Sequence, residues 1–173
     1  EPAAIIVELP SNPMLMSVDL KTVSKIAHEK GIPLIADDTI GSAVNIDPIP
    51  YADMIFSSLT KSFAGRGDIL AGSLIISPES PWKKEFSEIF QNASLAPLAD
   101  PDAIALAETS RDVKKRLPLL NESCLLLKRQ LERHPSIERV LHPEDCPNFN
   151  QIMRPNGGYG CLLSFVLKDG LQK

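Results

Sequence analysis

The sequence predicts an α/β chain built on a mostly parallel sheet, followed by the start of a smaller α+β unit. Three observations carry this. Continuous apolar runs such as Ala4-Ile5-Ile6-Val7 and Leu34-Ile35-Ala36 suit strands buried on both faces. A helical pattern lies between those runs, so they read as a strand–helix–strand crossover of about 35 residues. Beyond it, a long helical stripe leads to two more strand-like runs near the end of the chain.

The first strand covers Ala4 to Leu9, and Pro10-Ser11-Asn12-Pro13 stops it in a loop. Asp19 is placed to cap a helix whose apolar positions Leu20, Val23 and Ala27 keep helical spacing. Gly31 ends that helix at a position where a left-handed residue is favoured. Leu34-Ile35-Ala36 is the next strand and closes on Asp37-Asp38-Thr39. Two further strands, Asp53 to Ser57 and Ser73 to Ser77, are joined by about fifteen residues, too few for a comfortable helical crossover. An antiparallel or irregular return is expected there.

After Pro81 the pattern is helical. Val113, Leu117, Leu120, Cys124, Leu127 and Leu131 form one apolar stripe in steps of four and three. Pro118 lies inside it and predicts a kink, or a break just before it. Ile137 to Leu141 and Cys161 to Val166 read as strands. The expected division is residues 1–112 for the larger unit and 113–173 for the linking helix and the start of the smaller one.

The 173 residues suffice for one domain with a real core, and a composition of 43% hydrophobic and 23% charged residues excludes disorder. A formal net charge of −4 argues against a broad nucleic-acid surface. The basic cluster from Arg111 to Arg116, with Lys114 and Lys115, reads as a solvated helix face. The apolar runs fall far short of the roughly 20 residues of a membrane span. Nothing resembles a leader segment, although the chain begins on Glu1-Pro2-Ala3 without Met. Cys124, Cys146 and Cys161 are scattered and read as reduced thiols, with no zinc-type spacing. His142-Pro143-Glu144-Asp145-Cys146 carries ligand-type side chains, but its prolines make it a surface loop.

Chemistry gathers at the strand ends, where open α/β sheets bind ligands. Three polar clusters sit there: Glu8 with Asn12; Asp37-Asp38-Thr39; and Ser57-Ser58-Leu59-Thr60-Lys61. Together they supply acids, an amide, hydroxyls and an amine. Pyridoxal phosphate asks for this set. Its aldehyde needs a lysine, its pyridine nitrogen a carboxylate, and its phosphate hydroxyl and amide donors. Singly, each residue has a plain reading: Asp37 and Asp38 as caps, Ser58 and Thr60 in turn hydrogen bonds, Asn12 in an Asx turn, Lys61 on the surface. Coincidence at three successive strand ends favours the cofactor. A P-loop is rejected because the glycines follow Lys61-Ser62 rather than precede it. Gly157-Gly158-Tyr159-Gly160 precedes a strand, so it is no dinucleotide fingerprint.

At these residues the sequence resembles the cystathionine γ-synthase-like family of pyridoxal-phosphate enzymes of Cys/Met metabolism. The matching stretches are Glu8-Leu9-Pro10-Ser11-Asn12-Pro13, Ala36-Asp37-Asp38-Thr39, Ser58-Leu59-Thr60-Lys61 and Gly158-Tyr159-Gly160-Cys161-Leu162-Leu163-Ser164-Phe165. Asp37-Asp38-Thr39-Ile40-Gly41 and Pro50-Tyr51-Ala52-Asp53 look most like the fungal cystathionine γ-synthases. The resemblance implies the fold type I large domain. It implies Lys61 as the imine-forming, proton-moving lysine and Asp37 as partner of the pyridine nitrogen. Ser58 and Thr60 would hold the phosphate, and Asn12 would lie near the phenolic oxygen.

Two departures stand out. Asp38 replaces the family's usual Asn, and Ser62-Phe63-Ala64-Gly65-Arg66-Gly67 replaces its usual pattern after the lysine, with Arg66 adding a charge near the site. Family subunits are longer. The resemblance therefore implies a central fragment lacking the ring-stacking tyrosine and glycine-rich loop on one side and the carboxylate-binding arginine on the other. The implied reaction of the whole enzyme is γ-replacement on an O-activated homoserine by cysteine, on small amino-acid substrates, in a cytoplasmic homo-oligomer. The alternatives are a cystathionine γ- or β-lyase, another γ-substitution enzyme, or a non-catalytic fold relic or scaffold subunit.

Overall fold

A computed structural model describes residues 2–93 and 95–168. Strands β1 (Ile5–Glu8), β2 (Leu34–Asp37), β3 (Met54–Ser58) and β4 (Gly72–Ile76) form one sheet in that order. The first three are parallel, and β4 returns antiparallel to β3. The short β3–β4 connection thus resolves to the antiparallel alternative. The chain leaves β3 and re-enters β4 at the same end of the sheet, which is where Lys61 lies.

Helix α1 (Leu20–Glu29) makes the crossover. Asp19 caps it by accepting hydrogen bonds from the Thr22 amide at 3.0 Å and the Thr22 hydroxyl at 2.8 Å. Gly31 follows its C-terminus at φ +66°, the left-handed conformation that only glycine adopts without strain. The helix buries Leu20, Ser24 and Ala27. Leu20 and Ala27 join Leu9, Leu34, Ala36, Ile46 and Ile55 in the core, which Cys146, Phe149 and Ile152 complete from far along the chain. Asp53 is 2% exposed. Its carboxylate accepts from the Leu34 amide at 2.8 Å and the Ser80 hydroxyl at 2.8 Å, and bonds the His28 ring at 3.0 Å.

Helices α2 (Lys83–Asn92) and α3 (Asp100–Thr109) have no buried residue. Helix α4 (Val113–Leu131) runs unbroken through Pro118. The expected break is absent, because a proline removes a single backbone bond that a long, well-packed helix tolerates. The apolar stripe also departs from expectation. Val113, Leu117 and Cys124 are buried, but Leu127 is 47% exposed. Lys128 takes the inward position beside it, its alkyl stem filling the space of an apolar residue. Its amine meets Glu144 at 2.8 Å, Asp145 at 2.9 Å and Glu132 at 2.9 Å.

The second sheet pairs β5 (Ile137–Leu141) with β6 (Ser164–Leu167) antiparallel. Strand β6 starts three residues later than the apolar run suggested, because Cys161 and Leu162 serve as cavity wall. Helix α5 (Pro147–Gln151) lies between the two strands in sequence. His142 to Cys146 is not a surface loop: it forms a tight 3-10 turn, and His142 is 1% exposed. Its acidic groups are taken by Lys128 and Arg129, and among the described residues no His, Cys, Asp and Glu cluster could hold a metal. Nor is any described helix long and apolar enough to cross a membrane. The three cysteines are free thiols.

This buried cluster makes stability pH-dependent. Burial, helped by the Lys128 charge, holds the His142 ring below its ordinary 6.5. Burial works to raise the Glu144 carboxyl, but hydrogen bonds from Lys128 and Arg129 outweigh it and hold the group below 4.5. In both cases the unfolded chain takes up its proton at higher pH than the folded chain. Stability therefore falls with acid, through His142 below pH 6.5 and through Glu144 below pH 4.5. Urea unfolding of the wild type should show a larger loss between pH 7.5 and 5.5 than unfolding of His142→Asn, which removes the titrating ring.

Candidate active site

Strand register builds the site. Glu8 of β1, Asp37 of β2 and Phe56 of β3 lie level across the sheet. Side chains alternate faces along a strand. Ala36 points into the core, fully buried, so Asp37 points to the opposite face. Asp38 turns back inward and is 2% exposed. The adjacent acids are thus separated by the sheet. Asp37 accepts the Thr39 amide at 2.8 Å. Asp38 accepts the Ser57 hydroxyl. Burial pushes the Asp38 carboxyl above the usual carboxylate range, and the Ser57 hydrogen bond only partly offsets this.

Each sequence-named residue has its own local support. Glu8 Oε2 accepts the Asn12 amide at 3.1 Å and anchors the loop after β1, in which the bonds preceding Pro10 and Pro13 are both cis. Thr39 Oγ1 accepts the Ser58 amide at 2.8 Å, which splints the end of β2 to the end of β3. The Thr60 hydroxyl accepts the Ala71 amide at 3.3 Å. Lys61 sits in a compact turn closed by Ala64 N–H to Leu59 O at 2.9 Å and Gly65 N–H to Lys61 O at 2.8 Å.

Two cavities open around these groups. One, of about 380 Å³, is lined by Glu8, Asn12, Asp37 and Lys61, with Cys161 and Leu162 closing one side. The other, of about 450 Å³, is lined by Asp37, Ser58, Thr60 and Leu70 to Ser73. Asp37 and Thr39 line both. The structure therefore places Lys61 and Asn12 on one side of Asp37, and Ser58 and Thr60 on the other. An amine, a carboxylate and hydroxyls around one rim are the partners that the aldehyde, ring nitrogen and phosphate of pyridoxal phosphate need, so the donor set fits that cofactor. Arg66 does not join it: it pairs with Asp68 at 2.8 Å and lines neither cavity.

Several contributors were not visible in the sequence. Arg116 leaves the supposedly solvated basic face and bonds the carbonyls of Ser62 at 2.6 Å and Phe63 at 3.0 Å, directly after Lys61. The cluster reading fails at this residue because a guanidinium can be drawn inward by carbonyls that lack other donors. Asn45 and Asn121 exchange amide hydrogen bonds at 2.8 and 3.2 Å. Asn45 also donates to Gly41 O at 2.9 Å. The two amide oxygens accept the backbone N–H groups of Gly158 at 3.0 Å and Gly160 at 2.9 Å. These bonds carry the chain into Cys161 and Leu162. At Gly158 a Cβ would collide with the Asn121 amide. The available signal was Asn121 itself, a polar residue beside an apolar stripe.

The sequence profile of the Cys/Met metabolism PLP-dependent enzymes matches residues 1–173. The cystathionine gamma-synthase-like protein ankD of Aspergillus thermomutatus is 35% identical over 165 residues, which are 94% of this chain and 29% of that protein. The cystathionine gamma-synthase of Neurospora crassa is 30% identical over 98% of this chain and 28% of its own length. The crystal structure of a cystathionine gamma lyase (CalE6) from Micromonospora echinospora superposes with a TM-score of 0.83 at 26% identity, over 96% of this chain and 45% of its own. The chain spans about three-tenths of the length of these two curated relatives.

The amide exchange has a measurable signature. Asn45→Ala and Asn121→Ala each leave the partner amide and a glycine N–H without their bonds, at a cost of about 1–3 kcal/mol. The double variant should be destabilised by less than the sum, with a coupling of about 1 kcal/mol or more. Denaturant unfolding of the three variants measures it, and additive losses would show that the two side chains act independently.

Proposed function

The chain belongs to the Cys/Met metabolism PLP-dependent enzyme family, and from that premise we propose that it carries one side of the cofactor site of a γ-replacement enzyme. The whole enzyme would join cysteine to an O-activated homoserine. One observation carries this reading. Asp37 lines both the cavity that holds Lys61 and the cavity that holds Ser58 and Thr60, so the amine, carboxylate and hydroxyls that pyridoxal phosphate needs line adjoining space.

When bound, the cofactor supplies an electron sink for charge developing on the substrate's α-carbon. The residues supply the rest. Asp37 would keep the ring nitrogen protonated, the Ser58 and Thr60 hydroxyls would hold the phosphate, and Asn12 would lie near the phenolic oxygen. Lys61 would hold the cofactor through its Nζ, and its free amine would take the α proton and return it further along the carbon chain. Its place in a turn held by backbone bonds keeps that amine on the wall of the cavity.

The relatives' names support the synthase reading, because the Neurospora crassa protein is a cystathionine gamma-synthase. The Micromonospora echinospora likeness supports a γ-lyase as the second reading. We propose further that residues 1–112 belong to the cofactor-binding unit and residues 113–173 to the linking helix and a smaller unit. A cytoplasmic homo-oligomer acting on small amino-acid substrates completes the reading.

The test is made on the full-length protein loaded with pyridoxal phosphate. Borohydride should fix the cofactor on Lys61, found by peptide mass spectrometry, and Lys61→Ala should lose both this label and the visible imine band. Turnover of O-activated homoserine with cysteine should fall by about 10²–10⁴-fold or more. A label elsewhere in the wild type would remove Lys61 from its role. Release of a keto acid and ammonia in place of a thioether would select the lyase.

A further inference from the structure

Arg116 reaches from α4 across 54 positions of sequence to the turn that bears Lys61. Each of its three nitrogens is engaged. Nη1 bonds Ser62 O at 2.6 Å, and Nη2 bonds Phe63 O at 3.0 Å and Thr109 O at 3.1 Å. Nε bonds Asp112 Oδ1 at 3.1 Å. The side chain is 23% exposed, so it is not a surface arginine. Its place against the turn exists because Gly65 has no side chain: a Cβ there would lie 2.5 Å from Nη1. Gly65 also sits at φ +73°, so the turn and the guanidinium make the same demand for glycine.

We propose that Arg116 is the positioning residue of Lys61, and that through it helix α4 sets where the lysine amine stands in the cavity. The proposal rests on the reading of Lys61 as the cofactor lysine. Ser62 lines the same cavity as Lys61, and the two carbonyls that Arg116 grips are the next two in the chain. Without the guanidinium they have no donor among the described hydrogen bonds, and the turn keeps only its local backbone bonds. A lysine at 116 would keep the charge but could not fork to two carbonyls. Misplacing a reacting group by about 1 Å costs roughly 10²-fold in rate, so a loosened turn should show in turnover more than in substrate affinity.

The experiment compares wild type, Arg116→Lys, Arg116→Ala and Gly65→Ala of the full-length protein, with Lys114→Ala as a control on the exposed side of α4. Hydrogen exchange of the cofactor-free proteins is read first. Amides of the Leu59–Gly65 segment should exchange about tenfold faster or more in both Arg116 variants and in Gly65→Ala, with the rest of the sheet unchanged. Lys114→Ala should match wild type. In the loaded enzymes, the Arg116 variants should lose borohydride-fixed label on Lys61 and lower kcat at least about tenfold, while KM stays within about twofold. Exchange unchanged at 59–65, or raised equally throughout the chain, would overturn the proposal, as would full rescue by Arg116→Lys. If Arg116→Ala does not fold, Arg116→Lys and Gly65→Ala decide the question alone. If the wild type carries no label on Lys61, the functional reading fails, while the exchange data still decide whether Arg116 holds the turn.

Discussion

Two amides that satisfy each other, the buried Asn45 and the half-buried Asn121, meet where three parts of this structure come together. Each amide would be costly to bury alone, and together they also saturate two glycine N–H groups and a carbonyl. The segment after Asp37-Asp38, the long helix α4 and the glycine-rich approach to β6 are held at one point. Helix α4 repeats the device along its length. Arg116 ties it to the lysine turn, Asn121 to the amide joint, and Lys128 to the acidic turn after β5. An apolar stripe supplies the adhesion, and three polar side chains set the register.

The sheet contributes direction. Parallel strands bring β1, β2 and β3 to the same edge with the same polarity, and the antiparallel β4 closes the lysine turn there. Alternation along β2 then gives two adjacent acids opposite environments. Asp37 lies with Glu8 on the face that lines the Lys61 cavity, and Asp38 lies with Ser57 on the other, where both line a separate space of about 260 Å³. That first face is otherwise lightly covered, with Ile6 65% and Leu74 43% exposed. Parallel sheets ordinarily have both faces covered.

The parts read correctly from sequence are those in which cause and effect are close along the chain. The apolar runs of β1 and β2, the Asp19 cap and the glycine after α1 all act within a few residues. The grouping of Asp37, Ser58, Thr60 and Lys61 was legible because successive parallel strands must present the same end. What escaped notice acts at a distance. Arg116 and Asn121 find partners 54 and 76 positions away; nothing local marks Arg116, and Asn121 is marked only by its place beside the apolar stripe. Lys128 misled for the opposite reason: a charged residue beside Leu127 argues for the leucine facing inward, until three carboxylates reverse the choice. Pro118 offered a kink or a break, and the nineteen-residue helix that runs through it excludes the break.

The contact between Gly65 and Arg116 has a consequence for descent. A side chain at position 65 and a guanidinium from position 116 claim the same space. A lineage that replaces the glycine must give up or redirect the arginine, whereas one that loses the arginine still needs glycine for the left-handed backbone at φ +73°. The dependence runs one way: the arginine's place presupposes the glycine, although the two positions belong to separate elements and meet only at the lysine turn.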